Sequence, residues 1–334
     1  MNAPATPQQP PALLALDWGT SNLRAFLLAA DGTPLAERGS ARGIRQLAQP
    51  GPAGFEQALA EVAGDWLRDQ PGLPMVACGM VGSAQGWQEA RYVACPADVA
   101  TLAGQAVVIR TAHGPLHVAP GLIDRPAAGG SQPPDVMRGE EIQIAGALAL
   151  QPALAERACL LLPGTHAKWA QVREGRVTGF RTFMTGELYA LLRRHSLLGQ
   201  TMPAEGEAGT GSDEAAFNAG LARARQAGPG DLAHQLFGTR TLGLTGQLTP
   251  QGQADYLSGL LIGHELVAGL AAIADDHHGT PPLALIGDPA LLARYAGALR
   301  ALDHAPAALL GNTAPQGLHQ FARAAGLLSQ GLAA

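Results

Sequence analysis

Asp17-Trp18-Gly19-Thr20-Ser21-Asn22-Leu23-Arg24 closes one apolar run and opens the next. An acid at a strand end, a glycine with small polar residues in the turn, and an arginine just beyond are parts that a triphosphate site needs. Gly19 lets the backbone N–H groups of Thr20, Ser21 and Asn22 approach phosphate oxygens closely. Asp17 can hold a hydrated Mg²⁺, which keeps several of its waters. Arg24 can neutralise charge that develops on a phosphoryl group in transfer. An ordinary hairpin whose acid caps the turn would use the same residues, so the motif needs a second observation beside it.

That observation is a repeat of grammar. Leu13–Asp17, Leu23–Ala30 and Pro34–Gly39 read as three strands, the last two joined by Asp31-Gly32, a strong hairpin signal. Such a start is not the strand–turn–helix of a dinucleotide-binding unit. The same order returns downstream: strand Cys159–Leu162, the polar turn Pro163-Gly164-Thr165-His166, strand Trp169–Arg173, the turn Glu174-Gly175 and strand Val177–Phe183. Two similar domains are expected, each offering one Gly-Thr hairpin to a shared cleft.

Between these repeats, apolar spacing predicts a helix over Phe55–Leu67 and another over Glu140–Leu150, with a buried strand at Met75–Cys78. Pro120–Pro134 reads as a loop. Beyond the second repeat, helices are expected over Asp255–Asp275, Pro289–Leu302 and Leu318–Leu328. The domain expectation is a disordered leader over 1–11, an N-terminal domain over 12–152 and a C-terminal domain over 153–334.

The 334 residues suit two domains. Hydrophobic residues at 47% against 15% charged exclude a disordered chain. A net charge of −5 without a basic run argues against a nucleic-acid partner. Cys78, Cys95 and Cys159 are too sparse for a disulfide frame or a zinc site, which points to reduced thiols in a cytoplasm. No signal peptide is read at the N-terminus, and apolar runs are expected to break before about 18 residues, so no membrane partner is expected.

Asp17–Ala25 resembles the first phosphate motif of the actin, hexokinase and sugar-kinase superfamily, and Pro163–Trp169 resembles the second. Cys78-Gly79-Met80-Val81-Gly82-Ser83 with Gly86-Trp87, Val136-Met137-Arg138-Gly139-Glu140-Glu141, and Phe183-Met184-Thr185-Gly186-Glu187-Leu188 resemble the 2-dehydro-3-deoxygalactonokinase family. The likeness runs from about Leu13 to the C-terminal helix. It implies a two-domain actin-like ATPase (ribonuclease H-like) α/β fold, with mixed sheets, flanking helices and an interdomain cleft. It also implies ATP and Mg²⁺ as cofactors, and transfer of the γ-phosphoryl group to the 6-hydroxyl of a sugar acid. A homodimer is left open.

By position in that family, Glu140 is expected as the catalytic base, because a sugar hydroxyl is a poor nucleophile and a carboxylate should take its proton. Neighbours on a helix point about 100° apart, so only one of Glu140 and Glu141 can face the substrate. Glu141 stays open as the alternative, and both could simply complement the helix dipole. Arg138 would take the substrate carboxylate in a bidentate grip, or pair with a nearby acid. Ser83, Gln85 and Trp87 would line the sugar site, or pack. Gly164 and Thr165 would touch phosphate, His166 would donate to it, and Lys168 would approach as a point charge or lie in solvent. Leu283–Pro289 resembles the adenosine motif, with Gly287 allowing close approach and Asp288 standing where many members carry a second glycine. His195, His277 and His278 read as surface residues.

Overall fold

The computed structural model describes residues 9–125, 132–204, 211–228, 230–274 and 279–328. Residues 1–8 of the expected leader, together with His277 and His278, lie outside them. The chain divides into two units. Unit 1 takes in residues up to Arg157, Gln171–Phe180 and the chain from Asn312 on; unit 2 is Ala158–Ala170 with Arg181–Gly311.

Unit 1 is built on β1 (Pro11–Trp18), β2 (Leu23–Ala29), β3 (Pro34–Ser40), α1 (Pro52–Asp69), β4 (Met75–Gly79), β5 (Val93–Ala94), α2 (Val99–Ala103), β6 (Val107–Thr111), β7 (Gly114–Val118), β8 (Leu122–Asp124), β9 (Asp135–Met137) and α3 (Glu140–Leu150). Its six-stranded sheet has the order β3-β2-β1-β4-β7-β6. β1 pairs antiparallel with β2 and parallel with β4. Leu13–Leu16 of β1 and all of β4 are buried, the continuous apolar run of a central strand covered on both faces. α1 lays Phe55, Leu59, Val62 and Ala63 into that core. β8 forms inside the segment expected as a loop, because its three residues find pairing partners in β5 and β9.

The next strands are β10 (Arg157–Leu162), β11 (Ala167–Arg173) and β12 (Arg176–Phe183); unit 2 holds Ala158–Ala170 of this stretch, while the end of β11 and most of β12 fall in unit 1. Unit 2 further carries α4 (Thr185–His195), α5 (Glu214–Arg225), α6 (Leu232–Leu244), α7 (Pro250–Ala274), β13 (Leu283–Ile286), α8 (Pro289–Ala301) and β14 (Ala308–Leu310). The five-stranded sheet has the order β12-β11-β10-β13-β14, with β10, β13 and β14 parallel. Third, second and first strands of a meander, followed by later parallel strands, is the order already seen around β1. The duplicated mixed-sheet α/β pattern is the one expected for the actin-like fold.

α7 is long, and Ser258, His264 and Glu265 interrupt its apolar residues as expected. By length and hydropathy it could cross a membrane. It is instead a core helix packed by α5 and α6, with Gln253, Asp255 and Glu265 buried among protein partners. α4, α5 and α6 had no predicted counterpart; in α5 and α6 the apolar residues do not make a clean stripe.

The last helix, α9 (Ala314–Ala324), belongs to unit 1 and packs on α3. It begins before the expected Leu318, since Pro315 suits a first helical turn. The α3–α9 crossing is backbone against backbone. A Cβ on Gly146 would stand 1.9 Å from the Thr313 carbonyl oxygen, and one on Gly317 1.8 Å from that of Ile142. Gly146→Ala must push the helices apart, and should destabilise by about 1–3 kcal/mol, the usual cost of overpacking. Equilibrium denaturation would check it, and an unchanged midpoint would refute the close packing.

Candidate active site

Pairing register places Gly39, Arg24, Asp17 and Cys78 in one row across β3, β2, β1 and β4. Residues directly opposite in a sheet share a face, so Arg24 stands beside Asp17. Burial pushes the Asp17 carboxyl above its ordinary value, and the Arg24 charge opposes this. The turn after β1 has its carbonyls occupied: Gly19, Thr20 and Ser21 accept from the backbone N–H groups of Ile44, Arg45 and Gly43. With those acceptors satisfied, the turn does not present bare carbonyl oxygens to an anion. Thr20 is half-buried and Ser21, Asn22 and Arg24 are exposed. Asn22, Arg24, Gly39 and Ser40 help line an open hollow of about 360 Å³. Nothing in the local pattern after β3 announced the service of Gly43–Arg45.

The second part of this centre comes from the start of α3. Gly139 precedes the helix at φ 110°, a conformation that side chains resist, and a Cβ there would reach 3.5 Å from the Gly79 Cα. Glu141 is only 2% exposed, and both its carboxyl oxygens accept from the Gly139 N–H, at 2.7 and 2.9 Å. Burial, reinforced by the charge of Glu140, raises its pKa to about 8. Glu140 is half-buried, and its Oε2 accepts from the Arg138 N–H at 3.0 Å. Cys78 reports how these groups converge. Its thiol is pushed well above the ordinary range by burial and then by the charges of Asp17, Glu141 and Glu140. Three carboxyls are therefore near enough to Cys78 of β4 for their charges to act on it.

The raised pKa of Glu141 has a thermodynamic consequence. A carboxyl that holds its proton more tightly when folded adds stability that is full below its ordinary value of 4.5 and is lost as pH rises through about 8. Glu141→Gln removes that dependence. Unfolding titrations should show wild type losing stability relative to the variant between those two pH values. A gap that stays constant with pH would mean that the carboxyl is ionised throughout.

Arg138 is not a surface arginine paired with an acid. Its Nη2 donates to the Ala90 carbonyl at 2.8 Å, its guanidinium lies 4.5 Å from the centre of the Tyr92 ring, and its Nε and Nη1 are buried without a hydrogen-bond partner. Ser83 donates to the Met80 carbonyl at 2.8 Å, which holds the turn after β4. Gln85 is exposed. Trp87 stacks on Phe55 at 5.3 Å and meets Trp18 edge-on, so most of its surface serves packing.

In unit 2, the turn between β10 and β11 abuts the start of α4, where Thr165 accepts from the Glu187 N–H at 3.0 Å. A helix N-terminus presents N–H groups and positive potential, which suits phosphate beside Gly164 and Thr165. His166 pairs with Glu187 of the same helix. Lys168 is 5% exposed and donates to the Thr182 hydroxyl at 2.7 Å, so it is not solvated as one reading of the sequence allowed. Gly164 and Thr165 open into a pocket of about 370 Å³ walled by Tyr189, Leu261, Ile262 and Leu291. Gly287, at the end of β13, has the Pro163 carbonyl 3.7 Å from its virtual Cβ. Asp288 accepts from the Ala290 and Leu291 N–H groups, so it caps α8, and a second glycine there would forgo that cap. His195 is exposed, as expected. All three cysteines are free. Among the described residues no group of three or more His, Cys, Asp or Glu is placed to hold a metal ion.

Two mixed sheets of like strand order frame these residues, and by family the chain is a kinase, a phosphotransferase. The family model for 2-keto-3-deoxy-galactonokinase matches residues 17–321. The 2-dehydro-3-deoxygalactonokinase of Escherichia coli (strain K12) is 36% identical over 312 residues, covering 93% of this chain and 97% of that protein. A protein of Rhizobium meliloti (strain 1021), described as a probable 2-dehydro-3-deoxygalactonokinase, is 38% identical over 258 residues, 77% of this chain and 80% of its own. A crystal structure from Sinorhizobium meliloti under the same provisional name superposes with a TM-score of 0.78 at 34% identity, covering 93% of this chain and 98% of that one. The chain belongs to the 2-keto-3-deoxy-galactonokinase family.

Proposed function

We propose that the protein moves the γ-phosphoryl group of ATP to the 6-hydroxyl of 2-dehydro-3-deoxy-D-galactonate. The observation that carries the substrate assignment is Arg138. Two of its N–H donors are buried and unmet, and its backbone is tied to Glu140. An unmet buried donor is costly, and a planar carboxylate answers two at once. Glu140 is the base that takes the hydroxyl proton. Glu141, with a pKa near 8, is mostly protonated at neutral pH and holds the Gly139 turn.

The turn at Gly19–Asn22 and Arg24 serve the transferred group in unit 1. Gly164, Thr165 and Gly287 serve the nucleotide in unit 2, with His166, exposed and paired with Glu187, next in the turn. Magnesium would be held at Asp17: a bound cation would offset the cost of burying that carboxyl, which Arg24 meets only in part, and the ion takes one or two protein carboxylates plus phosphate and water. Bound there, the ion would neutralise charge on the phosphates. A cytoplasmic setting fits the three free thiols and the supply of ATP.

A coupled ADP-release assay over a panel of 2-keto-3-deoxy sugar acids tests the assignment. The galacto acid should be the preferred acceptor, and a panel without turnover would refute it. Arg138→Met should raise the KM of the sugar acid by roughly 10–100-fold, the scale of lost charge-assisted hydrogen bonds. A substrate analogue lacking the carboxylate should not distinguish the variant from wild type. If it does, Arg138 serves something else.

A further inference from the structure

Arg294 of α8 lines the unit 2 pocket, and the phosphate turns leave it without a role. It is held from two sides and keeps one nitrogen unmet. Its Nη2 donates to Asp255 Oδ1 at 2.6 Å, its guanidinium lies 4.3 Å from the centre of the Phe217 ring, and its Nε is buried without a partner. Asp255, 5% exposed, also accepts from the Asp213 N–H and from Gln251, each at 2.8 Å. Burial pushes the Asp255 pKa up, but those hydrogen bonds outweigh it and keep the carboxyl below its ordinary value. The arginine is therefore a fixed, ionised fork whose charge is already balanced.

Charge balance decides what such a fork can read. An unpaired guanidinium would draw phosphate, whereas one neutralised by a buried carboxylate gains little Coulomb energy from a further anion and keeps its directional donors. The pocket walls around it are aliphatic and aromatic: Tyr189 on α4, Leu261 and Ile262 on α7, and Leu291 on α8. Largely apolar walls, with the donor-only Arg294 beside the hydroxyl residues Thr165, Thr185 and Ser258, match a neutral heteroaromatic ring that carries acceptor nitrogens.

We propose that Arg294 is the base-reading residue of this protein and donates to a ring nitrogen of the purine of the nucleotide. This rests on the reading that unit 2 takes the nucleotide. The Asp255 carboxylate is the positioning partner that sets the direction of the fork.

The test compares wild type with Arg294→Lys, which keeps a cation for Asp255 but loses the fork. Both are assayed with ATP and with its 1-, 3- and 7-deaza analogues at saturating sugar acid. Arg294→Lys should raise the KM for ATP about tenfold, with kcat and the sugar-acid KM unchanged. One deaza analogue should cost wild type about the same factor, and should cost the lysine variant little more. Equal losses for all analogues in both proteins would overturn the proposal. If the lysine variant folds poorly, Arg294→Met combined with Asp255→Asn removes both charges together and must show the same loss of discrimination. Leu261→Trp separates the parent reading. It fills the pocket and should raise the ATP KM at least tenfold. If it does not, the nucleotide binds elsewhere and both readings fall. If it does while the analogue losses stay additive, only the role of Arg294 is lost.

Discussion

Asp17→Asn should lower turnover by about 10²–10³-fold, the scale of removing one preorganised electrostatic partner, and should leave the protein folded and at least as stable as wild type. The two halves of that expectation have one cause. Asp17 ends a buried central strand, and burial raises its carboxyl pKa while Arg24 compensates only in part. A raised acid contributes stability that is present below its ordinary value of 3.8 and lost as pH rises through the folded value. Above that ordinary value the buried carboxyl is therefore a liability to stability, and asparagine relieves it. Retaining a group that costs stability is what a functional site looks like when activity and stability conflict. Activity across a magnesium titration, beside denaturant unfolding at pH 7, checks both halves. Near wild-type turnover at limiting magnesium would remove Asp17 from the metal role. A variant that is inactive because it is unfolded would mean that Asp17 is structural.

Glu140→Gln should lower kcat by about 10²–10⁴-fold, the usual worth of a positioned general base, with little change in the sugar-acid KM. Glutamine keeps an oxygen to accept the Arg138 N–H, so the turn before α3 should survive. Glu141→Gln likewise keeps an acceptor for the Gly139 N–H and should retain most activity, because the native carboxyl is mainly protonated near neutral pH. Its signature lies in the pH dependence of stability. Circular dichroism and kcat for the two variants decide the assignment. An inactive Glu141→Gln beside an active Glu140→Gln would make Glu141 the base. Two active variants would mean that the proton goes to neither.

Much of the frame was legible without coordinates. The continuous apolar runs of β1, β4, β10 and β13, the Asp31-Gly32 and Glu174-Gly175 turns, and the helix Glu140–Leu150 are local patterns, and local patterns report backbone preference directly. The repeated meander gave away the duplication, because strand order follows from short connections between neighbours. The acid, glycine and arginine around the first turn were readable because β1 and β2 are adjacent in sequence, so their register is set by a four-residue link.

What the tertiary structure decided is everything carried by distant partners. Sequence could place Glu140 and Glu141 on one helix turn, but burial of the second comes from packing around Gly79 and Cys78, far away in the chain. It could offer Trp87 and Ser83 to a substrate, but the Phe55 stack and the Met80 carbonyl occupy them. The unit 2 pocket draws on α4, α7 and α8; Tyr189 stood in no recognisable motif, and Arg294 lay on the helix of the adenosine-type motif without a sign of its own role. Residue types and spacing along the chain determined which chemistry was available. Burial, hydrogen-bond saturation and charge pairing, which depend on contacts between segments far apart in sequence, decided which residues are left able to perform it.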